Sequence, residues 1–493
     1  MKMSHKFGSA LLALLAFAGL ASAQKWQALK HEPSFPVGAI ALLSDGTVLL
    51  HEEQDSNPQK WYKLTPDDTG SYLNGTIKPI ASLASNYGPF YFGSEVLPDG
   101  RYIIEGGEYN NNCNGGCWTN LGAIYDPVKN KWTPVKPPAG WTTIGDAQSI
   151  ILPTAAGTYM QANCCTTQSA LFNPKNLTWT ATGKGKFDIN DEEGWNLLPD
   201  GNVLTVDAYV FQNGGGTGSE IYNTAKGTWS SAGSTQVQLW GTSTHEVGPA
   251  VLMPNGTVFA TGANDNGAGA TAIYNLKTAK WSKGPSFPTV KGVDNLDAAD
   301  APAALEVSGN VIVMTSPGYG QPGGVFFEWN GTKLTELPEP PNGPSDSSFY
   351  GHLLELPTGQ LLFSDFSNDL EIFTPKGTYK AAWQPTITSV PTTLTHGKSY
   401  VVKGTQLSGY SGGGAYGDDF QDNTNWALVR ITNTASKKVV YAKTTNPSSY
   451  AVQTGTKAES TNFAVPASIQ TGASTLEVVT NGIPSAPVKV TVN

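Results

Sequence analysis

Leu97-Pro98-Asp99-Gly100 is one instance of a short phrase that recurs along the chain. It returns as Leu43-Ser44-Asp45-Gly46, Leu198-Pro199-Asp200-Gly201, Met253-Pro254-Asn255-Gly256 and Leu356-Pro357-Thr358-Gly359. Looser forms are Leu152-Pro153 through Gly157, and Val307-Ser308-Gly309. Each closes one apolar run and opens another. Asp-Gly and Asn-Gly suit hairpin turns, because those residues accept positive φ. The glycines stand 54, 57, 44, 55, 53 and 50 residues apart, so the phrase marks seven repeats.

A second phrase follows in several repeats. Tyr125-Asp126-Pro127 precedes Trp132, Phe172-Asn173-Pro174 precedes Trp179, Tyr222-Asn223 precedes Trp229, and Tyr274-Asn275 precedes Trp281. The aromatic-to-Trp spacing is seven in all four. A strand, a turn residue and a strand bearing Trp again make a hairpin. Two hairpins per repeat give four strands. One such sheet cannot bury both faces, whereas seven stacked around an axis can. The sequence therefore predicts an all-β fold: a seven-bladed kelch-type β-propeller. Lys25-Trp26-Gln27 resembles Lys280-Trp281-Ser282, so the N-terminal strand is expected to complete the last blade and close the ring. After Trp383 the texture changes to short Thr-, Val- and Ser-rich strands. Residues 24–383 are thus assigned to the propeller and 384–493 to an immunoglobulin-like β-sandwich.

Composition agrees. The 493 residues include 55 Gly and 33 Pro, too many for long helices, and 13 Trp, 19 Tyr and 18 Phe, enough for a large core. A formal charge of −9 with no basic run excludes a nucleic-acid partner. Residues 1–23 read as a signal peptide: Lys2 and Lys6, an apolar run from Ala10 to Leu20, then Ala21-Ser22-Ala23. No later stretch is long and apolar enough to span a bilayer. The expected protein is secreted or periplasmic and monomeric, and its four cysteines read first as disulfides. Sequons stand at Asn74, Asn176, Asn255 and Asn330.

Propeller topology separates two faces. The glycine hairpins lie on one. The starts of the inner strands, the second-to-third-strand loops and the inter-blade links lie on the other, where binding residues usually sit. Those loops supply the ligand-binding candidates Tyr109, Trp118, Cys164, Cys165, Asp207, Tyr209 and Tyr319. Acids, amides and aromatic rings on one concave surface suit sugars: rings stack on the apolar face and carboxylates bind hydroxyls. At the axis, a nine-residue offset from each turn glycine marks Val37, Tyr91, Glu192, Val247, Asp300 and Tyr350, with Asp146 or Gln148 in the third blade. Glu193, His245, Glu246, Asp297 and His352 lie close in sequence. The catalytic candidates are Tyr91, Glu192, Glu193, His245, Glu246, Asp300, Tyr350 and His352. Such an acidic throat can do acid/base chemistry, hold Ca²⁺ through oxygen ligands, or line a water-filled axial channel. The channel is the expectation, and no metal ligand is assigned.

The cysteines allow either Cys113–Cys117 with a vicinal Cys164–Cys165 bridge, or cross-bridging between the two pairs. A vicinal bridge would offer a ligand a flat apolar platform. A zinc site is the rival, but an exported chain should oxidise first. Gly409-Tyr410-Ser411-Gly412-Gly413 matches a nucleophile elbow formally, with no helix after it, and is read as chance.

A secreted kelch propeller followed by an early-set immunoglobulin-like domain resembles the galactose oxidase and glyoxal oxidase superfamily. That resemblance implies a copper-radical site: a Tyr cross-linked to Cys, an axial Tyr and two His. Tyr91 matches the radical Tyr. Val37 stands where the Cys belongs, Phe349-Tyr350 where the axial Tyr-His pair belongs, and His396 is the only C-terminal His. The copper-radical site is therefore read as not retained. No cofactor is predicted, with Ca and Cu left open. The expected function is recognition of an extracellular glycan or small polar ligand through the loop face. The alternative is an enzyme acting on carbohydrate: a hydrolase or lyase using the acidic throat, or a divergent copper oxidase.

Overall fold

The computed structural model describes residues 24–493 except 54–55, 112, 114–116, 155–156, 211–215, 266, 418–419 and 422. The signal segment 1–23 lies outside the described residues. The strands form seven radial sheets, each built from consecutive antiparallel strands. Their inner strands are Val37–Leu42, Gly93–Val96, Ser149–Leu152, Asn196–Leu197, Ala250–Met253, Ala303–Leu305 and His352–Glu355. All seven turn glycines have φ between 66° and 85°, as the hairpin reading requires. The N-terminal strand Lys25–Ala28 pairs antiparallel with Glu371–Thr374 and completes the seventh blade.

The seven-residue aromatic spacing has a direct cause. Tyr125, Phe172, Tyr222 and Tyr274 lie opposite Trp132, Trp179, Trp229 and Trp281 across the outer hairpins. Their rings sit 4.7–5.3 Å apart, within the range where such pairs attract. The indoles also join blades. Trp132 Nε1 donates to Ala81 O, Trp179 Nε1 to Lys136 O and Trp26 Nε1 to Pro338 O, each 2.7–2.8 Å. Each acceptor follows the neighbouring blade, so one side chain ties two repeats together.

From Thr386 onward the strands, apart from Gly414–Ala415, form one curled sheet around a separate apolar cluster that includes Val402, Val429, Phe463 and Leu476. This unit packs on the glycine turns of the first, second, third and seventh blades. Gly46 meets Tyr441, Gly100 meets Lys443 and Thr444, Gly157 meets Tyr450, and Gly359 meets Gly482. Thr444 N donates to Ser44 O at 3.0 Å and Ser44 Oγ to Thr444 O at 2.8 Å.

The same unit sends a finger into the axis. Gly414–Ala415 pairs with Ala304 and Ala303 of the sixth blade's inner strand. Thr424 Oγ1 and Asn481 Nδ2 both donate to Glu355 Oε2 at 3.0 Å, and Asn423 Nδ2 donates to Glu95 Oε1. Beyond the strand pair, Tyr416 Oη reaches Phe349 O at 2.8 Å. Gly417 lies so close to Asp300 that a Cβ there would sit 2.7 Å from its Cα, so only glycine fits. The expected water-filled channel is corrected: the chain's own finger fills the axis, because backbone pairing there satisfies groups that water would otherwise serve.

Candidate functional site

The mouth of the axis on the loop face is where the chemistry gathers. Tyr91, Glu192 and Asp300 occupy the same nine-residue offset and share left-handed φ values of 49°, 55° and 45°. His245 and Phe366, at 67° and 62°, do likewise. Each such residue costs about 1–3 kcal/mol, and such strain concentrates at functional sites. One carboxylate oxygen each from Glu192, Glu246 and Asp300 lie within 4.8 Å of one another.

Aromatic groups surround this trio. A two-residue ribbon, Pro89–Phe90 against Tyr109–Asn110, sets Tyr109 beside Tyr91, with ring centroids 6.0 Å apart. Burial pushes the Tyr109 phenol up to about 12, with Glu108 adding to it and Asp146 and Glu246 contributing. Burial likewise raises Tyr319, and Asp300 and Glu246 raise it further. Tyr209 is raised by burial, then by Asp191, Glu192 and Glu246. All three phenols therefore stay protonated at neutral pH and can donate, while the carboxylates face the same space.

Tyr209 and His245 form a stack. Their centroids are 4.1 Å apart with planes at 10°, and Trp240 covers the other face of His245 at 5.2 Å and 7°. His245 Nδ1 lies 2.8 Å from Ala208 O. A carbonyl only accepts, so Nδ1 is the donor in this contact and Nε2 is the nitrogen left to face elsewhere. Tyr209 is positioned from beneath. The Asp188 carboxylate accepts the N–H groups of Ala208, Tyr209 and Val210 at 2.6–3.1 Å.

Both short-range disulfides are formed, Cys113–Cys117 and Cys164–Cys165. Cys164 is buried, Cys165 is half-buried with φ 60°, and Cys164 Sγ lies 3.6 Å from Asp191 Oδ1. Gly145 touches both Cys164 and the exposed Trp118. The cysteine loops and blade entrances therefore share one rim, opposite the glycine turns.

Not every candidate joins the mouth. Asp207 is 1% exposed and unavailable to a ligand on the surface. Glu193 points away from Glu192 into the core, where Lys186 Nζ donates to Glu193 Oε1 at 2.7 Å and Glu220 Oε2 at 2.6 Å. Glu192 is left-handed with φ 55°, so the chain turns between the two acids and sends them different ways. Burial raises Glu193 well above the ordinary carboxylate range, and burial raises Asp207 to about 8. His352 is buried against Phe420 and Tyr416, with Nδ1 on Gly351 O, and burial lowers it to about 4. Tyr350 packs on Phe349 and Phe366 at the rim. Cys164 offers little surface, leaving Cys165 as the presented half of the bridge. Trp240 and Tyr416 were missed. Trp240 lies five residues before His245, a spacing that carries no periodic signal.

A cavity of about 630 Å³ lies elsewhere, between the third blade's turn side and Asn446-Pro447-Ser448. Pro98, Leu171, Phe172 and Pro174 line it, with Asp99 and Lys175 as its charged groups. It gathers no cluster of titratable side chains comparable with the mouth. Among the described residues, no helix is long and apolar enough to cross a membrane.

No family model matches the chain, and no curated protein matches it. Solved structures do. A fungal alcohol oxidase of the AA5 family, in complex with copper, is 14% identical with a TM-score of 0.49, covering 96% of this chain and 100% of that one. The extracellular domain of a B. thetaiotaomicron protein described as a hybrid two component system is 10% identical with a TM-score of 0.47, covering 96% of this chain and 59% of that one. At these identities the fold rests on the chain's own strand pairing.

Proposed function

We propose that the chain is an extracellular protein that recognises carbohydrate at the mouth of the loop face. The observation that carries this reading is the Glu192–Glu246–Asp300 trio within 4.8 Å, set among Tyr109, Tyr209 and Tyr319. Carboxylates accept sugar hydroxyls, phenols donate, and rings stack on the apolar face of a pyranose. The vicinal Cys164–Cys165 bridge and Trp118 extend the apolar floor toward the third blade. An extracellular setting agrees with two formed disulfides.

A second reading is enzymic. Three carboxylates gathered at one mouth can divide acid and base roles between them, and His245 stands one residue before Glu246. One experiment separates the two: a glycan array, with reducing-end release measured on whatever binds. The expected result is binding that falls at least about tenfold in Glu246→Gln and in Tyr209→Ala. Release of reducing ends, lost in Glu246→Gln, selects the enzyme. No bound glycan, or binding indifferent to both variants, overturns the proposal.

We read the copper-radical set as not assembled and propose no redox cofactor. Val37 is fully buried where the resemblance calls for Cys. All four cysteines are in disulfides. The finger that reaches the mouth has no His between 409 and 426. Copper uptake with peroxide release from alcohols or aldehydes would overturn this.

A further inference from the structure

The Asn-x-Thr sequons stand on hairpin turns, and the structure separates three of them from the fourth. Asn176-Leu177-Thr178 and Asn330-Gly331-Thr332 join the third and fourth strands of the third and sixth blades. Asn255-Gly256-Thr257 joins the first and second strands of the fifth. Successive antiparallel strands reverse direction, so both kinds of turn lie on the side opposite the mouth. Two of them are neighbours: Asn255 Nδ2 sits 3.1 Å from where a Cβ on Gly331 would be.

In these three sequons the Asn and Thr side chains already engage each other. Asn176 Oδ1 accepts from Thr178 Oγ1 at 2.7 Å. Asn255 Oδ1 accepts from Thr257 N at 3.1 Å and Thr257 Oγ1 at 2.7 Å. Asn330 Oδ1 accepts from Thr332 N at 3.0 Å and Thr332 Oγ1 at 2.8 Å. The turn holds the oxygen, and Nδ2 enters none of these bonds. All three Asn are exposed. A Cβ on Gly256 would meet nothing within 4 Å, so the space outside that turn is open.

Asn74 differs. It is half-buried, and its Nδ2 donates inward to Asp67 Oδ2 at 3.0 Å and Ser71 Oγ at 3.4 Å. Gly75 beside it is buried, and a Cβ there would lie 2.6 Å from Leu64 Cδ1. The loop also packs on the C-terminal unit: Val439 N donates to Asp68 O at 2.8 Å, and Lys438 Nζ pairs with Asp68 Oδ2 at 2.6 Å. A sugar on Asn74 Nδ2 would replace an amide hydrogen that the loop uses.

We propose that Asn176, Asn255 and Asn330 are N-glycosylation sites and that Asn74 stays bare. The donor is an oligosaccharide carried on a lipid diphosphate. The Asn amide nitrogen bonds to the anomeric carbon of the first sugar and gives up one proton to the transferase. The bond from that carbon to the diphosphate oxygen breaks, and the lipid diphosphate leaves with the electron pair. The Thr hydroxyl two residues on is the part of the motif that engages the amide. Sugars on the third, fifth and sixth blades stand away from the mouth and leave it open to a ligand. Leu177, an exposed large apolar side chain with φ 56°, lies inside the first sequon, where the first sugar ring covers it.

The test uses the full chain secreted from a eukaryotic host that supplies this donor. Peptide N-glycosidase in heavy-oxygen water converts each glycosylated Asn to labelled Asp, read by peptide mass spectrometry. Label is expected at Asn176, Asn255 and Asn330, and none at Asn74 beyond that of a sample incubated without the enzyme. Thr178→Ala, Thr257→Ala and Thr332→Ala should each lower the gel band by one glycan, whereas the matching Thr→Ser variants keep it. Asn74→Gln should leave the band in place. Tm is read for every secreted variant, so that a lost glycan is scored only on a folded chain, and the label on the wild type decides the matter if a variant is not secreted. An unlabelled Asn at any of the three positions overturns the proposal. So does a labelled Asn74.

Discussion

Replacing Lys186 by Met tests what holds the floor of the mouth in place. The Lys186 ammonium bonds Glu193 at 2.7 Å and Glu220 at 2.6 Å, and all three side chains are fully buried. It also lies 5.3 Å from the Trp229 ring. Burial works against the lysine's charge, but Glu193 and Glu220 outweigh it and hold it above the ordinary lysine range. Met fills most of the volume and removes the charge. Asp188, Glu193, Asp207 and Glu220 then share one buried region with no cation among the described residues. Breaking a buried pair from one side costs about 3–5 kcal/mol. The deprived carboxylates will take up protons, so the loss should be smaller near pH 5 and larger near pH 8. Glu193→Gln is the control. It keeps an acceptor for the ammonium, leaves a one-to-one pair with Glu220, and should cost under about 1 kcal/mol. Urea unfolding of both variants at the two pH values is the assay. A loss below about 1 kcal/mol for Lys186→Met, or equal losses for the two variants, refutes the reasoning.

The finger gives a pH prediction. Burial raises Glu355 to about 8 although Asn481 and Thr424 pull it down, so the folded chain holds a proton that the unfolded chain releases near 4.5. Stability from this group is therefore lost as pH rises from about 4.5 to 8, by about 2–3 kcal/mol after relaxation, and Glu355→Gln should flatten the fall of Tm across that window; an unchanged slope counts against it. Replacing Cys164 and Cys165 by Ser should weaken ligand binding far more than it lowers Tm, and equal binding in the variant removes the platform idea.

The architecture was legible because its signals are local. An Asp-Gly turn fixes a hairpin by backbone preference alone, and Tyr125 and Trp132 fall seven apart because a hairpin makes them direct partners. The nine-residue offset found Tyr91, Glu192 and Asp300 for the same reason: every blade leaves its turn at the same register. Side-chain direction next to that position was not legible. Glu192 turns left-handed toward the mouth while Glu193 drops into the core beside Lys186. A one-letter string shows two adjacent acids and no more. Asp207 failed likewise, being drawn inward although Tyr209, two residues on, reaches the mouth. The finger was invisible because Gly412-Gly413-Gly414 has no periodicity. Its two-residue strand exists only through its partner, Ala303–Leu305.

That finger also explains why the loop face is the one left to chemistry. A bare propeller offers two concave ends to solvent. Here the C-terminal unit docks on the glycine turns, where Gly46, Gly100, Gly157 and Gly359 meet Tyr441, Lys443, Tyr450 and Gly482. Docking closes one end, and the finger, anchored on Glu95 and Glu355, closes the bore. Gly417 lies against Asp300, where any larger residue would collide, so a residue without a side chain lets the finger approach one member of the trio. The same closure makes the protonated state of Glu355 matter beyond stability, since a charge there would loosen the base on which the acidic trio rests.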